Sequence, residues 1–224
     1  NFKDYYGKPY GKGFQTVEDV LEQTSRGGFS GRFGTTTDVL STARPTVETD
    51  DQAKIRLWDY PDQEITSAQT SRSQLPASFK KIDNTDGWKP NTINMDIGGG
   101  KFEQGTEFLS ERGVQNFVYD PFNRTKEQND SAVDNAAFGK SDTVTVNNVL
   151  NTIPDQDNQK LVLQQAENAL KLGGKMYMIN FEGDRSGVGK QTRDGFQQNK
   201  RPNDYLPLVR EVFPNAVVRN NVIE

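Results

Sequence analysis

The stretch NTINMDIGGGKFEQG, residues 91–105, decides the fold. Polar and apolar side chains alternate over residues 92–97, which predicts a strand. Gly98, Gly99 and Gly100 follow at once, and a helix is predicted after them. Glycines let the backbone approach a ligand closely, and a helix N-terminus presents unpaired N–H groups. The stretch therefore indicates a nucleotide site, although three glycines would also serve a tight structural turn.

A second acidic residue lies where a nucleotide site needs one. Residues 115–120 predict the next strand, which Asp120 ends directly before Pro121. A carboxylate at the end of the second strand accepts hydrogen bonds from the two hydroxyls of a ribose. A plain turn residue before the proline is the alternative interpretation of Asp120, and both stay open here.

Strands and helices alternate after Trp88. The alternation implies right-handed crossovers and a doubly wound, mostly parallel sheet with helices on both faces, which is an α/β fold. Gly173 and Gly174 are expected to end the third helix and to precede a strand. Strands are predicted at 92–97, 115–120, 142–150, 175–181 and 216–224, and helices at 103–112, 131–138, 158–172 and 203–213.

An irregular extension is predicted before Trp88. Thr16 is expected to cap its only helix. We therefore predict two parts, an N-terminal arm at 1–87 and a nucleotide-binding domain at 88–224. The arm is expected to contain an extended segment, the helix, a Gly-rich loop and two short strands, at 1–15, 16–24, 25–37, 54–60 and 64–70.

The composition excludes several kinds of chemistry. The chain has 224 residues with no cysteine and no histidine, and its net charge is −4. Disulfides, thiolate zinc sites and a cysteine nucleophile are therefore absent, and so are the commonest general base and metal ligand. We expect no metal site, so any chemistry must depend on carboxylates, Lys, Tyr, backbone groups or a cofactor.

No apolar run approaches the roughly 20 residues of a membrane helix, and no signal peptide is visible. We therefore expect no membrane partner and a cytoplasmic location, which would be the host cytoplasm if a phage encodes the chain. The negative net charge gives no overall attraction to nucleic acid, although a local basic patch would still provide one.

Four segments resemble, in order, the motifs of class I S-adenosylmethionine-dependent methyltransferases. They are MDIGGGKF at 95–102, VYDPFN at 118–123, DTVTVNNVLNTI at 142–153 and ALKLGGKMYMINFEGD at 169–184. The resemblance implies a Rossmann-like sheet that binds S-adenosylmethionine at the carboxyl ends of its strands. The cofactor contacts that it implies are Asp96, Gly98, Gly99, Gly100, Asp120, Pro121, Asn147 and Asn148. The segment also resembles methyltransferase-like domains of phage-encoded polyproteins.

The sequence departs from this family at Phe102, in the third-strand region and in the single strand predicted at the end. Few residues separate Asp120 from Asp142, so the usual third strand is expected to be missing or reduced. The dinucleotide fingerprint has a third spaced glycine, whereas Glu103 and Gln104 occupy that place here, which disfavours a nicotinamide oxidoreductase. A domain that binds S-adenosylmethionine without transferring its methyl group is the other alternative.

The methyl acceptor stays open between a small molecule, a nucleic acid and a protein, and no catalytic residue is identified. The absence of cysteine argues against methylation at pyrimidine C5. A long loop is predicted at 182–203, on the ligand-bearing edge of the sheet. It is either a solvated connector or a lid for an anionic acceptor, with Lys190, Arg193, Phe196, Lys200 and Arg201 as the candidate contacts.

Overall fold

The computed structural model describes residues 56–58, 73–85 and 87–224. The chain divides into two units, Asn1–Thr49 and Asp50–Glu224, and every described residue lies in the second. The helix predicted at 16–24, the loop at 25–37 and the strand at 64–70 lie outside the described residues.

A six-stranded sheet with the order β2-β1-β3-β4-β8-β7 organises the described residues, and a separate two-stranded hairpin pairs β5 with β6. The strands are β1 (Thr92–Ile97), β2 (Val114–Tyr119), β3 (Ser141–Asn147), β4 (Leu170–Ile179), β5 (Gly189–Thr192), β6 (Gly195–Gln198), β7 (Val218–Arg219) and β8 (Val222–Ile223). The helices are α1 (Ala77–Asp83), α2 (Gln104–Ser110), α3 (Lys126–Ala136), α4 (Gln156–Ala169) and α5 (Pro202–Arg210), with a 3₁₀ turn at Leu150–Thr152.

Strands β1 to β4 pair in parallel, and β8 is antiparallel to β4 and to β7. Helices cover both faces of this sheet. Successive side chains of β4 point to opposite faces, and they pack in two different hydrophobic clusters. Met176 and Met178 pack with residues of α3, α4 and α5. Tyr177 packs with Phe79 of α1 and Leu109 of α2. The predicted doubly wound, mostly parallel sheet is therefore confirmed.

The strand order reverses at β1. Strand β1 lies between β2 and β3, and the chain passes from β2 to β3 through α3 with no further strand between them. The predicted reduction of the third-strand region is therefore confirmed within residues 87–224. Ligands of open α/β sheets bind outside the carboxyl ends of the strands at such a reversal.

The prediction for Gly173 and Gly174 is wrong. Helix α4 ends at Ala169 and β4 begins at Leu170, so both glycines lie inside the strand. Gly173 has a φ of 79°, and the pairing of β3 with β4 shifts register across the glycines, from Ser141 with Leu170 to Thr143 with Lys175. The glycine pair therefore lies in an irregular stretch of the strand rather than at a helix end.

The strand predicted at 216–224 is instead a hairpin of β7 and β8. Asn220 and Asn221 form its two-residue turn with φ values of 51° and 62°. A type I′ turn requires positive φ at both central residues, and asparagine tolerates that conformation. Of the strand predicted at 54–60 the structure describes residues 56–58, which are not a strand, because Arg56 is helical and the next two residues form a turn.

Three helices, α3, α4 and α5, begin earlier than predicted, and α4 begins at Gln156 after the capping residue Asp155. Helix α3 begins at Lys126, where Thr125 and Gln128 form a reciprocal capping box. Helix α5 begins at Pro202, and the N–H of Arg201 donates to Asp204 Oδ2 at 2.9 Å. Proline suits the first helical position because it lacks the N–H that would be unpaired there.

Helix α1 precedes the boundary predicted at Trp88 and packs against the sheet through Phe79 and Ile82. The indole Nε1 of Trp88 donates to the carbonyl of Phe79 at 3.0 Å. The packed body therefore begins before Trp88, while the predicted division into an arm and a domain stays a prediction.

Candidate functional site

A cleft of about 60 Å³ lies at the carboxyl ends of β1, β2 and β3. Four of the predicted site residues line it, namely Gly98, Asp120, Pro121 and Asn148. The other lining residues are Ile97, Tyr119, Phe122, Val149, Thr152, Ile153, Asn158, Leu161, Val162 and Gln165. The lining is thus mainly apolar with one carboxylate.

The glycine turn closes the end of β1 tightly. The N–H of Gly98 donates to the carbonyl of Tyr119 at 2.7 Å. Gly98 and Gly100 have φ values of 72° and 77°, which favour glycine. A Cβ added to Gly98 would collide with the side chain of Val149. The turn therefore needs glycine for its own geometry, with or without a ligand.

Asp120 connects this turn to the end of β2. Its carboxylate accepts hydrogen bonds from the N–H of Gly100 at 2.9 Å, of Phe122 at 3.0 Å and of Asn123 at 3.1 Å. The side-chain amide of Asn123 also donates to both carboxylate oxygens. Asp120 is only 4% exposed. It therefore braces both turns while lining the cleft.

Arg124 holds the glycine turn from the other side, and sequence reasoning missed it. Its Nε donates to the carbonyl of Gly100 at 2.7 Å, and a terminal nitrogen donates to the carbonyl of Phe102 at 3.2 Å. Arg124 also forms an ion pair with Glu103, while its own side chain is 8% exposed. Two of its partners are backbone carbonyls, which leave no pattern in the sequence.

A buried ladder of polar side chains crosses β2, β1 and β3 on the face covered by α1 and α2. Asn94 Nδ2 donates to Asn116 Oδ1 at 2.7 Å and to Thr145 Oγ1 at 3.1 Å. Thr143 Oγ1 donates to Asn94 Oδ1 at 2.8 Å. These bonds satisfy groups that would otherwise be costly to bury.

The ladder ends at Asp96, under the glycine turn. Thr145 Oγ1 donates to Asp96 Oδ1 at 2.7 Å, and Asn147 Nδ2 approaches the same oxygen at 3.5 Å. Burial raises the pKa of Asp96 to about 6, although the hydrogen bonds from Thr145 and Asn147 oppose the change. A Cβ on Gly99 would lie 2.5 Å from Asp96 Oδ2. Asp96 therefore lies against the turn.

The two asparagines after β3 have different surroundings. Asn147 is buried, and its Oδ1 accepts a hydrogen bond from the hydroxyl of Ser78 in α1. Asn148 is exposed in a left-handed conformation, with a φ of 56°, and its N–H donates to the carbonyl of Ile179 at 2.8 Å. Only Asn148 lines the cleft, whereas Asn147 belongs to the ladder with Asp96.

The segment predicted as a loop at 182–203 contains the hairpin of β5 and β6. Lys190 pairs with Asp184 at 2.5 Å, and Arg193 pairs with Asp194 at 3.0 Å. Lys200 Nζ lies 5.6 Å from the ring centre of Tyr205. Lys190, Arg193 and Lys200 therefore have partners within the protein, and the role of the four predicted cations in acceptor binding stays a prediction.

The described residues contain no helix that is long and apolar enough to cross a membrane.

The chain is similar in structure to solved methyltransferases. A TehB-like SAM-dependent methyltransferase from Corynebacterium glutamicum matches at 15% identity and a TM-score of 0.40, over 65% of this chain and 76% of that one. The mitomycin 7-O-methyltransferase MmcR matches at 12% identity and a TM-score of 0.43, over 65% of this chain and 52% of that one. The chain therefore spans about half the length of MmcR.

A third structure is the 1,6-didemethyltoxoflavin-N1-methyltransferase of Burkholderia thailandensis, solved with 1,6-didemethyltoxoflavin and S-adenosylhomocysteine bound. It matches at 13% identity and a TM-score of 0.48, over 92% of this chain and 82% of that one. No protein-family model matches the chain, and no curated protein matches it.

Proposed function

We propose that the chain binds S-adenosylmethionine in this cleft and transfers the methyl group to an acceptor. The connection between the two strand ends carries the proposal. Asp120, after β2, accepts the N–H of Gly100, after β1, where the strand order reverses. A glycine turn and a strand-two carboxylate at a reversal point suit a ligand that contains a ribose.

The residues at the cleft fit the parts of this cofactor. Asp120 suits the ribose hydroxyls, while apolar neighbours such as Ile97, Phe122 and Ile153 suit the adenine ring. Two side chains have to move before the cofactor can enter, because the cleft has a volume of only about 60 Å³. Rotation of Val149 would uncover Gly98, and Asn123 Nδ2 would yield its place on Asp120 to the ribose.

Bound S-adenosylmethionine would supply a methyl group that is already activated on a sulfonium. The chain then has to orient both reactants and exclude water, which needs neither cysteine nor histidine. The glycine turn and Asp120 hold one reactant in place. The hairpin of β5 and β6 contacts the 3₁₀ turn after β3, because Asn151 Nδ2 donates to Gln197 Oε1 at 3.1 Å. The hairpin is therefore placed to limit the access of water.

Two measurements test the proposal. We expect S-adenosylhomocysteine to raise the melting temperature and NAD to leave it unchanged. We also expect radiolabelled methyl to pass from S-adenosylmethionine to at least one member of a panel of nucleic acids, proteins and small molecules. Stabilisation by NAD alone would indicate an oxidoreductase instead. Stabilisation by S-adenosylhomocysteine without any transfer would indicate a binding domain, which the narrow cleft also fits.

Arg124→Ala should weaken the binding of S-adenosylhomocysteine by about tenfold, since a hydrogen bond that involves a charged group contributes roughly 1.5–3 kcal/mol. Without Arg124 the carbonyl of Gly100 is free to turn, and the N–H groups of the turn lose their orientation. Titration calorimetry measures the affinity. Arg112→Ala is the matched control, because Arg112 pairs with Asp83 at 2.7 Å and does not line the cleft. Equal affinities for the two folded variants would contradict the role of Arg124.

A further inference from the structure

Two asparagines beside the cleft bury amide atoms that have no partner in the described part of the chain. Asn180 is 7% exposed, and neither its Oδ1 nor its Nδ2 is hydrogen-bonded there. Asn151 is 3% exposed, and its Oδ1 is likewise unpaired. Buried polar atoms are nearly always hydrogen-bonded, so each exception needs an explanation.

Both residues follow strand ends that contribute to the cleft or contact it, and the hairpin of β5 and β6 is hydrogen-bonded to both segments. Asn180 follows β4 directly, next to Ile179, whose carbonyl accepts the N–H of the cleft residue Asn148. Asn151 lies in the 3₁₀ turn, between the cleft residues Val149 and Thr152. Asn151 is therefore a chain neighbour of residues that line the site proposed for the cofactor, and Asn180 follows a residue that is hydrogen-bonded to one of them.

Gln197 of the hairpin connects the two neighbourhoods. Its Oε1 accepts from Asn151 Nδ2 at 3.1 Å, and its Nε2 donates to the carbonyl of Phe181 at 3.0 Å. Phe181 is the residue after Asn180, so one side chain reaches both unpaired asparagines or their direct neighbours. The hairpin thus covers this polar cluster, and a ligand would enter when the hairpin lifts.

The unpaired atoms belong to side-chain amides, which are uncharged. An asparagine side chain offers one acceptor and two donors in a plane, and it carries no charge. It therefore matches a flat group that presents a donor beside an acceptor, such as a carboxamide or the edge of a heteroaromatic base. Two cations of the hairpin, Lys190 and Arg193, are paired with carboxylates, which leaves less positive charge for an anionic acceptor.

We propose that Asn180 and Asn151 bind the methyl acceptor, and that this acceptor is an uncharged planar group with a hydrogen-bond donor beside an acceptor. The proposal rests on the methyl transfer proposed above, because it places the acceptor next to that cofactor cleft. Asn180 is the main contact, since both of its amide atoms are free to pair with the acceptor. Asn151 adds one further acceptor atom.

Replacement of Asn180 separates a binding role from a structural one. Asn180→Leu removes the unpaired buried amide, so we expect its melting temperature to equal or exceed that of the wild type. Asn199→Leu is the matched control. Asn199 is 4% exposed, but its Nδ2 donates to Val188 at 2.7 Å and its Oδ1 accepts the N–H of Asp184 at 3.3 Å. We expect this control to melt at a lower temperature, and Asn180→Ala serves as a second variant if the leucine protein fails to fold.

Matched ring compounds test the chemical class of the acceptor. Nicotinamide and benzamide are compared with nicotinate and benzoate on protein saturated with S-adenosylhomocysteine, by saturation-transfer NMR and calorimetry. We expect the two amides to bind at least about tenfold more tightly than the acids, which is 1.4 kcal/mol or more. In Asn180→Leu we expect the amides to lose about the same factor, while the affinity for S-adenosylhomocysteine is unchanged.

Three results would overturn this assignment. Acids that bind as tightly as amides would refute the neutral class, and so would the absence of amide binding to the saturated wild type. A lower melting temperature of Asn180→Leu with unchanged amide binding would make Asn180 a structural residue. Failure of the cofactor proposal is recognised in a separate step. S-adenosylhomocysteine is added first, and it would not bind if that proposal were wrong.

Discussion

Asp120→Ala is expected to lower the affinity for S-adenosylhomocysteine by about a hundredfold or more. The substitution removes two charge-assisted hydrogen bonds to the ribose, each worth roughly 1.5–3 kcal/mol. It also releases the N–H of Gly100, which Asp120 accepts at 2.9 Å. The variant thus loses a ligand contact and the brace of the glycine turn together, and this makes the loss larger than for Arg124. Titration calorimetry on the folded variant measures it.

Two further variants separate the two roles of Asp120. Asp120→Asn keeps the size of the side chain and an acceptor oxygen for Gly100, but it loses the charge, so an intermediate affinity is expected. Asp130→Ala removes an exposed carboxylate that pairs with Lys126 on α3, and its affinity should equal that of the wild type. If Asp120→Ala binds as tightly as Asp130→Ala, the cofactor does not use this carboxylate.

The sequence predicted the framework of the site because short-range patterns determine it. Strand β1 was predicted with its observed bounds, since polar and apolar residues alternate up to Gly98. The glycine turn and Asp120 were predicted as contacts of one cofactor, which binds at the carboxyl ends of the parallel strands. The structure joins them through the hydrogen bond between Gly100 and Asp120.

Contacts between segments that are distant along the chain could not be predicted from the sequence. Arg124 binds the carbonyl of Gly100, and any residue can present a carbonyl. Ser78 reaches Asn147 from a helix that the pattern did not predict. The unpaired amide of Asn180 lies in the strand predicted at 175–181, and the hairpin that follows it lies where the sequence indicated only a long loop. Such features depend on tertiary packing, which local periodicity does not encode.

Polar and apolar residues alternate in β1 and β3, and this pattern alone would place the polar side chains in solvent. A polar face on a strand usually lies in solvent, yet Asn94 and Thr145 are both 0% exposed. Helices α1 and α2 cover this face, and the polar side chains satisfy one another across the strands. Asp96 can be buried at the end of this ladder because Thr145 donates to it.

Asp96→Asn is expected to stabilise the protein above about pH 7. Burial raises the pKa of Asp96 to about 6, from 3.8 in an unfolded chain. Below the unfolded value the carboxyl is protonated in both states and has no effect on stability. Between the two values the folded state keeps its proton while the unfolded state loses it, so the free energy of unfolding falls as the pH rises. Above about pH 6 both states are ionised, and the full cost of about 3 kcal/mol remains.

Urea unfolding at unit steps from pH 4 to pH 8 measures this effect as the difference between Asp96→Asn and the wild type. The difference should grow by about 2.5 kcal/mol across the series, because a small part of the change has already occurred at pH 4, with the variant the more stable protein at the upper end. Asp142→Asn is the matched control, because its pKa is shifted in the opposite direction. Partial burial raises the pKa of Asp142, but hydrogen bonds from Ile93 and Lys171 outweigh burial and lower it overall. The folded and unfolded pKa values of Asp142 therefore both lie below pH 4, and the difference between this variant and the wild type should stay nearly constant from pH 4 to pH 8. A pH-independent difference for Asp96→Asn would mean that Asp96 is ionised in the folded protein throughout, with a donor from the glycine turn compensating its burial.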